Sequence, residues 1–125
     1  MAAVHAEADN PDDTDWREIA LLYGVLNALS PSPVVEMNRA IAVAMVDGPA
    51  AGLAILERPD LAAPLGEYRW FHSTRADLLR RLGRAEEASA AYARALALSE
   101  NRAERAFLTS RLRETRAATS VGGSP

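Results

Sequence analysis

The chain has no cysteine, no lysine, only two histidines and no long apolar run. Each absence removes a class of protein. Without cysteine there is no disulfide scaffold and no thiolate zinc or iron–sulfur site, and only His5 and His72 could offer imidazole to a metal. A reducing compartment follows as the expectation. A membrane helix needs about 18 consecutive apolar residues, and the N-terminus lacks the basic-then-apolar pattern of a secretory signal. The expectation is a cytoplasmic protein with no membrane partner.

What is present favours helix. With lysine absent, all 14 positive charges are arginine, and alanine is the commonest residue. Both are strong helix formers. At 125 residues, 49% of them hydrophobic and 25% charged, the chain is large enough for one core without a staple. Its charges are segregated: residues 1–68 hold Arg17, Arg39 and Arg58 against eleven acids, for −8, whereas residues 69–125 carry +5. Such a dipolar domain orients on a charged partner, or its charges form a screened helix surface.

Helical periodicity and stop signals divide the chain. Residues 1–14, rich in acids with Asn10 and Pro11, read as a loose segment, residues 15–117 as one helical domain and residues 118–125 as a flexible tail. Trp16, Ile19, Tyr23 and Leu26 share one helical face, opened by Asp15 as N-cap with Glu18 three residues on, and the helix stops near Leu29. Ser32 and Pro33 open a second helix running from Val34 to Val46. Asp47-Gly48-Pro49 punctuates, and a short third helix ends near Leu56. After an irregular PDLAAPLGE stretch, a helix from Tyr68 to Leu82 is closed by Gly83, and another covers Ala85 to Leu98. Asn101 and Glu104 cap a last helix reaching about Arg116. No strand pattern appears.

The chain also repeats. Tyr23, Ala28, Leu29 and Ser30 recur as Tyr92, Ala97, Leu98 and Ser99 at a displacement of 69, and Gly48 recurs as Gly83 at 35. A period of about 34 is that of tetratricopeptide repeats, in which small residues let paired helices approach and an aromatic packs on the next unit. In LGRAEEASAAYARAL, Gly83 takes the turn, Ala88 the close approach and Tyr92 the aromatic place. The middle unit has Gly48 in its turn but Leu53 where alanine is expected. The fold expected is an all-α, tetratricopeptide-like solenoid of about six helices.

Catalytic chemistry finds no footing. Gly48-Pro-Ala-Ala-Gly52 has no lysine and its proline removes a donor amide, so it is no phosphate loop. His72, Ser73 and Asp77 point in diverging directions from one helix, so no triad converges. No catalytic residue, metal or cofactor is assigned, and an enzyme is not expected. The polar residues of the second helix are different, because VVEMNRAIAVAMV is apolar nearly all round and its Asn38 and Arg39 need partners. One solution pairs Arg39 with Asp77 of the next unit and bonds Asn38 to a loop carbonyl. The other has Asn38, Arg39, Trp70, Ser73, Asp77 and Arg80 lining a concave groove that receives a partner segment, with arginine as a carboxylate fork and Trp70 as the aromatic anchor. Direct DNA binding is not expected, since the chain is acidic with pI near 5.4 and has no helix-turn-helix signature.

Three strings carry a family likeness: Ser32-Pro33 with Asn38-Arg39-Ala40; Asp47-Gly48-Pro49; and His72 with Arg75-Ala76-Asp77-Leu78-Leu79 and Arg81-Leu82-Gly83-Arg84. Over Ala2 to Leu112 the sequence resembles the C-terminal extension of a group of bacterial extracytoplasmic-function RNA polymerase sigma factors. The resemblance implies a tetratricopeptide-like domain that regulates sigma activity, with the other domains of the parent sigma factor, RNA polymerase or a small regulatory protein as its partner. Nothing here resembles the promoter-reading helices of those factors, so this chain alone is not expected to recognise a promoter. From the residues themselves, a helical domain sensing a small metabolite in its groove is the alternative.

Overall fold

The computed structural model describes residues 15–122, with side chains as far as 118. The segment 1–14, expected to be loose, lies outside the described residues. Within them the protein is all-α, with seven helices and no strand. These are α1 (Trp16–Leu29), α2 (Pro33–Asp47), α3 (Pro49–Leu56), α4 (Pro59–Ala62), α5 (Arg69–Arg81), α6 (Ala85–Leu98) and α7 (Arg102–Gly122).

The boundaries follow from local chemistry. Asp15 caps α1 by accepting the Glu18 N–H at 3.1 Å, Ser32 caps α2 through the Val35 N–H at 3.4 Å, and Asn101 accepts the Glu104 N–H at 2.9 Å at the start of α7. Pro33, Pro49 and Pro59 each sit in a first helical turn, where a missing N–H costs nothing. Gly48 and Gly83 take positive φ, 100° and 78°, and reverse the chain between α2 and α3 and between α5 and α6. Two features depart from the sequence reading. The PDLAAPLGE connection holds the single-turn α4, and α7 runs on to Gly122 rather than ending near Arg116, because no glycine or proline interrupts it before Gly122.

Consecutive helices pack as hairpins: α1 on α2, α2 on α3, α5 on α6 and α6 on α7, while α3 and α5 join the first hairpins to the later ones. Small residues make the close approaches. A Cβ on Gly52 would stand 2.7 Å from both the Ala40 carbonyl oxygen and the Ala44 Cβ, so α3 can lie this close to α2 only with glycine there. The close approach of the middle unit thus falls on Gly52, one residue before the Leu53 at which the repeat register expects it. Ala40, Ala76, Ala88 and Ala95 are wholly buried, and Tyr92, Leu56, Leu61, Leu79 and Leu108 fill the core between them. Around it, arginine ties cross between segments: Arg58 to Glu36 at 2.8 Å, Arg75 to Glu57 at 2.9 Å and Arg69 to Glu104 at 2.7 Å.

Candidate functional site: a surface on α5 and α2

Trp70, Ser73, Asp77 and Arg80 follow one another at three, four and three residues along α5 and so share one helical face. Trp70 is 45% exposed, with the Arg69 guanidinium 5.2 Å from its ring centroid. The Ser73 hydroxyl donates to the Trp70 carbonyl oxygen at 3.2 Å, which turns it toward its own helix. Asp77 stands between two arginines, with Arg80 at 2.6 Å and Arg81 at 3.1 Å. Arg80 Nε also donates to the Tyr92 hydroxyl at 3.3 Å, and these two hydrogen bonds, the Asp77 one first, raise its pKa above the ordinary guanidinium value. Burial is the main cause that pushes the Tyr92 phenol up from its ordinary value. One carboxylate against two guanidiniums leaves this part of the face cationic, with an exposed indole at its other end.

Arg81 Nη1 reaches the Met45 sulfur at 3.8 Å, which ties the C-terminal end of α5 to the C-terminal end of α2. Met45 is itself exposed and lies seven residues beyond Asn38, so the two share a face of α2. Asn38 therefore shares with Met45 the face of α2 that Arg81 reaches at its C-terminal end. Sequence reasoning missed Met45 and Arg81, although the seven-residue spacing from Asn38 pointed to the first.

Arg39 does not join them. Its Nε and Nη2 donate to Glu36 Oε1 and Oε2 at 2.7 and 3.0 Å, one turn back on its own helix, rather than reaching Asp77. It lines a groove between α1 and α2 instead, against Gly24 and Val25. Glu36 is 6% exposed and accepts a third bond, from Arg58 Nη1 at 2.8 Å. The Arg39 hydrogen bond is the main cause that holds its carboxyl below the ordinary value, with Arg58 adding to it against the cost of burial. His72 is half-buried with Nε2 2.8 Å from the Gly66 carbonyl oxygen, at the edge of a cavity of about 390 Å³ walled by Leu56, Phe71 and Arg75.

An uncharacterized protein of Rhizobium meliloti (strain 1021) is 48% identical over 116 residues, which is 90% of this chain and 26% of that protein. The chain thus spans about a quarter of the length of the relative it matches. No family model matches, and no solved structure matches. Among the described residues no helix is long and apolar enough to cross a membrane.

Proposed function

We propose that this chain is a non-enzymatic regulatory interaction domain, the tetratricopeptide-like C-terminal part of an extracytoplasmic-function sigma factor, acting in the cytoplasm by capturing a protein segment. The observation that carries the reading is the face of α5, where the exposed Trp70 lies on the same stripe as the Asp77–Arg80–Arg81 cluster. A large aromatic beside fork-shaped donors is the composition of an interface hot spot for a segment bearing a carboxylate and an apolar side chain. Two of the family-like strings fall on the helices that build it. Their alanines, Ala40 and Ala76, are fully buried, while Asn38 and Asp77 beside them are only half-buried. In this reading α2–α3 and α5–α6 are two units of the solenoid, and α1 and α7 flank them.

The test is a pull-down of the remaining domains of the parent sigma factor, or of core polymerase, by the purified chain. Wild type captures one of them, and the double variant Trp70→Ala with Arg80→Glu loses capture while its circular-dichroism spectrum stays helical. Capture by the double variant at wild-type level refutes the groove. A second reading, a metabolite sensor, rests on the cavity of about 390 Å³ beside His72 and Arg75, which is of ligand-binding size. A sensor gains thermal stability from one member of a metabolite panel, whereas a protein-binding module does not.

A further inference from the structure

α1 alone among the seven helices buries no residue. Leu21, Leu22, Val25, Leu26 and Leu29 are between 46% and 80% exposed, and their spacing keeps them on one side of the helix. The apolar surface continues into an open groove of about 500 Å³ between α1 and α2, floored by Ala20, Gly24 and Ala28. In the rest of the molecule, α2, α5 and α6 each have helices against more than one side, while α1 packs chiefly on α2. Its outer face has the width and length of a seat for one more helix.

The charges around this face select the occupant. Glu18 precedes Leu21 and Leu22 by three and four residues and so heads the apolar stripe. Asp15 lies in the same first turn, and Asp47 lines the groove end beside Leu21. None of these three carboxylates is in an ion pair with a described residue; the cations beside them are Arg17 and Arg39, and the charge of Arg39 is already met by Glu36. A second copy of the chain does not complement them. Parallel α1 helices would place the same carboxylates together, and antiparallel ones would face them with Ala28, Leu29 and Ser30, which carry no charge. The chain's own arginine-rich helix, α7, is not free to serve either, because its Leu108 and Leu112 are in the core.

We infer that the exposed face of α1 is a docking site for a basic amphipathic helix of another polypeptide segment, lying antiparallel to α1 with its apolar side on Leu22, Leu26 and Leu29 and with cationic residues in its last turn near Glu18. Cations in the last turn of that helix also complement its own dipole. The site is separate from the α5 surface and does not depend on the function proposed for it.

The probe is a fluorescent synthetic peptide with leucines at i, i+3, i+4 and i+7 and two arginines in its last turn, with a control in which glutamates replace the arginines. Anisotropy titrations with the full chain are expected to show binding of the arginine peptide and a loss of about tenfold or more for the glutamate peptide. The L22Q/L26Q variant changes only exposed positions, so it keeps its helical spectrum and fails to bind either peptide. Equal affinity for the two peptides, binding by neither, or undiminished binding by L22Q/L26Q overturns the inference. So does sedimentation showing a wild-type dimer that L22Q/L26Q dissociates, which would make a second copy the occupant. The Trp70→Ala, Arg80→Glu variant binds the arginine peptide normally, so a failure at α1 and a failure at α5 are told apart.

Discussion

Glu36 is the residue on which most depends locally, because its carboxylate sits almost out of water and accepts from Arg39 on its own helix and from Arg58 beyond α3. Arg58 in turn holds Asp60 with two further bonds at 3.1 and 2.7 Å, so a chain of four charges fastens α2 to the joint between α3 and α4. Replacing Glu36 by Gln leaves Arg39 without its counter-charge and Arg58 with Asp60 alone, and the expected cost is about 2 kcal/mol in urea unfolding. The pH dependence has a definite sign. Glu36 has a folded pKa below its ordinary value of 4.5, so the stability it supplies is fully present above that value and drains as the pH falls through the lower folded one. Wild type therefore loses stability on acidification through this window, and Glu36→Gln loses less of it. A variant with the same acid slope as wild type would show that other carboxylates set the limb. The sequence displayed Glu36, Arg39 and Asp77 alike. Choosing the partner of Arg39 needed the knowledge that Glu36, one turn away, is buried, which no spacing conveys.

At the scale of the helices, boundaries were readable because they are written in local chemistry. Caps at Asp15, Ser32 and Asn101, prolines in first turns and glycines at reversals act within three or four residues, and the sequence placed most helix ends within a residue or two of where they fall. The single turn of α4 and the extension of α7 were not readable, the one too short for a period and the other lacking a stop signal. That Gly52 rather than Leu53 makes the close approach to α2 is a tertiary matter, which the spacing of the sequence does not convey. The same scale distinguishes α1. A helix with no buried residue and one principal neighbour has little to hold it closed, so it opens at lower free energy than the helices that carry the core. Hydrogen exchange is expected to remove protection from the amides of α1 before those of α2, α5 and α6. If α1 exchanged together with α6, whose Ala88, Ala91, Tyr92 and Ala95 are buried, its outer face would already be covered in solution.

Across the whole molecule, two kinds of force hold the array, and they respond differently to salt. The core is Leu, Ala, Phe, Met and Tyr packed from α2 to α7, and apolar burial is not screened by ions. Apart from the network on the buried Glu36, the ties between segments are arginine–carboxylate pairs whose arginines are at least a quarter exposed, and pairs of that kind contribute about 0–1 kcal/mol each. Raising sodium chloride from about 0.05 to 0.5 M shortens the screening length from more than 10 Å to about 4 Å, which weakens those pairs and leaves the core intact. The melting temperature is therefore expected to move by only a few degrees over that range. If the proposed partner capture draws on the separated charges, with an acidic first half of the sequence and a basic second half, it is expected to fall steeply over the same range. Measuring both on one salt series separates the two. A melting temperature that collapses in step with capture would mean that the ion pairs rather than the core carry the fold. Capture that persists at high salt would mean that Trp70 and the apolar contacts around it, rather than the charge of Arg80 and Arg81, hold the partner.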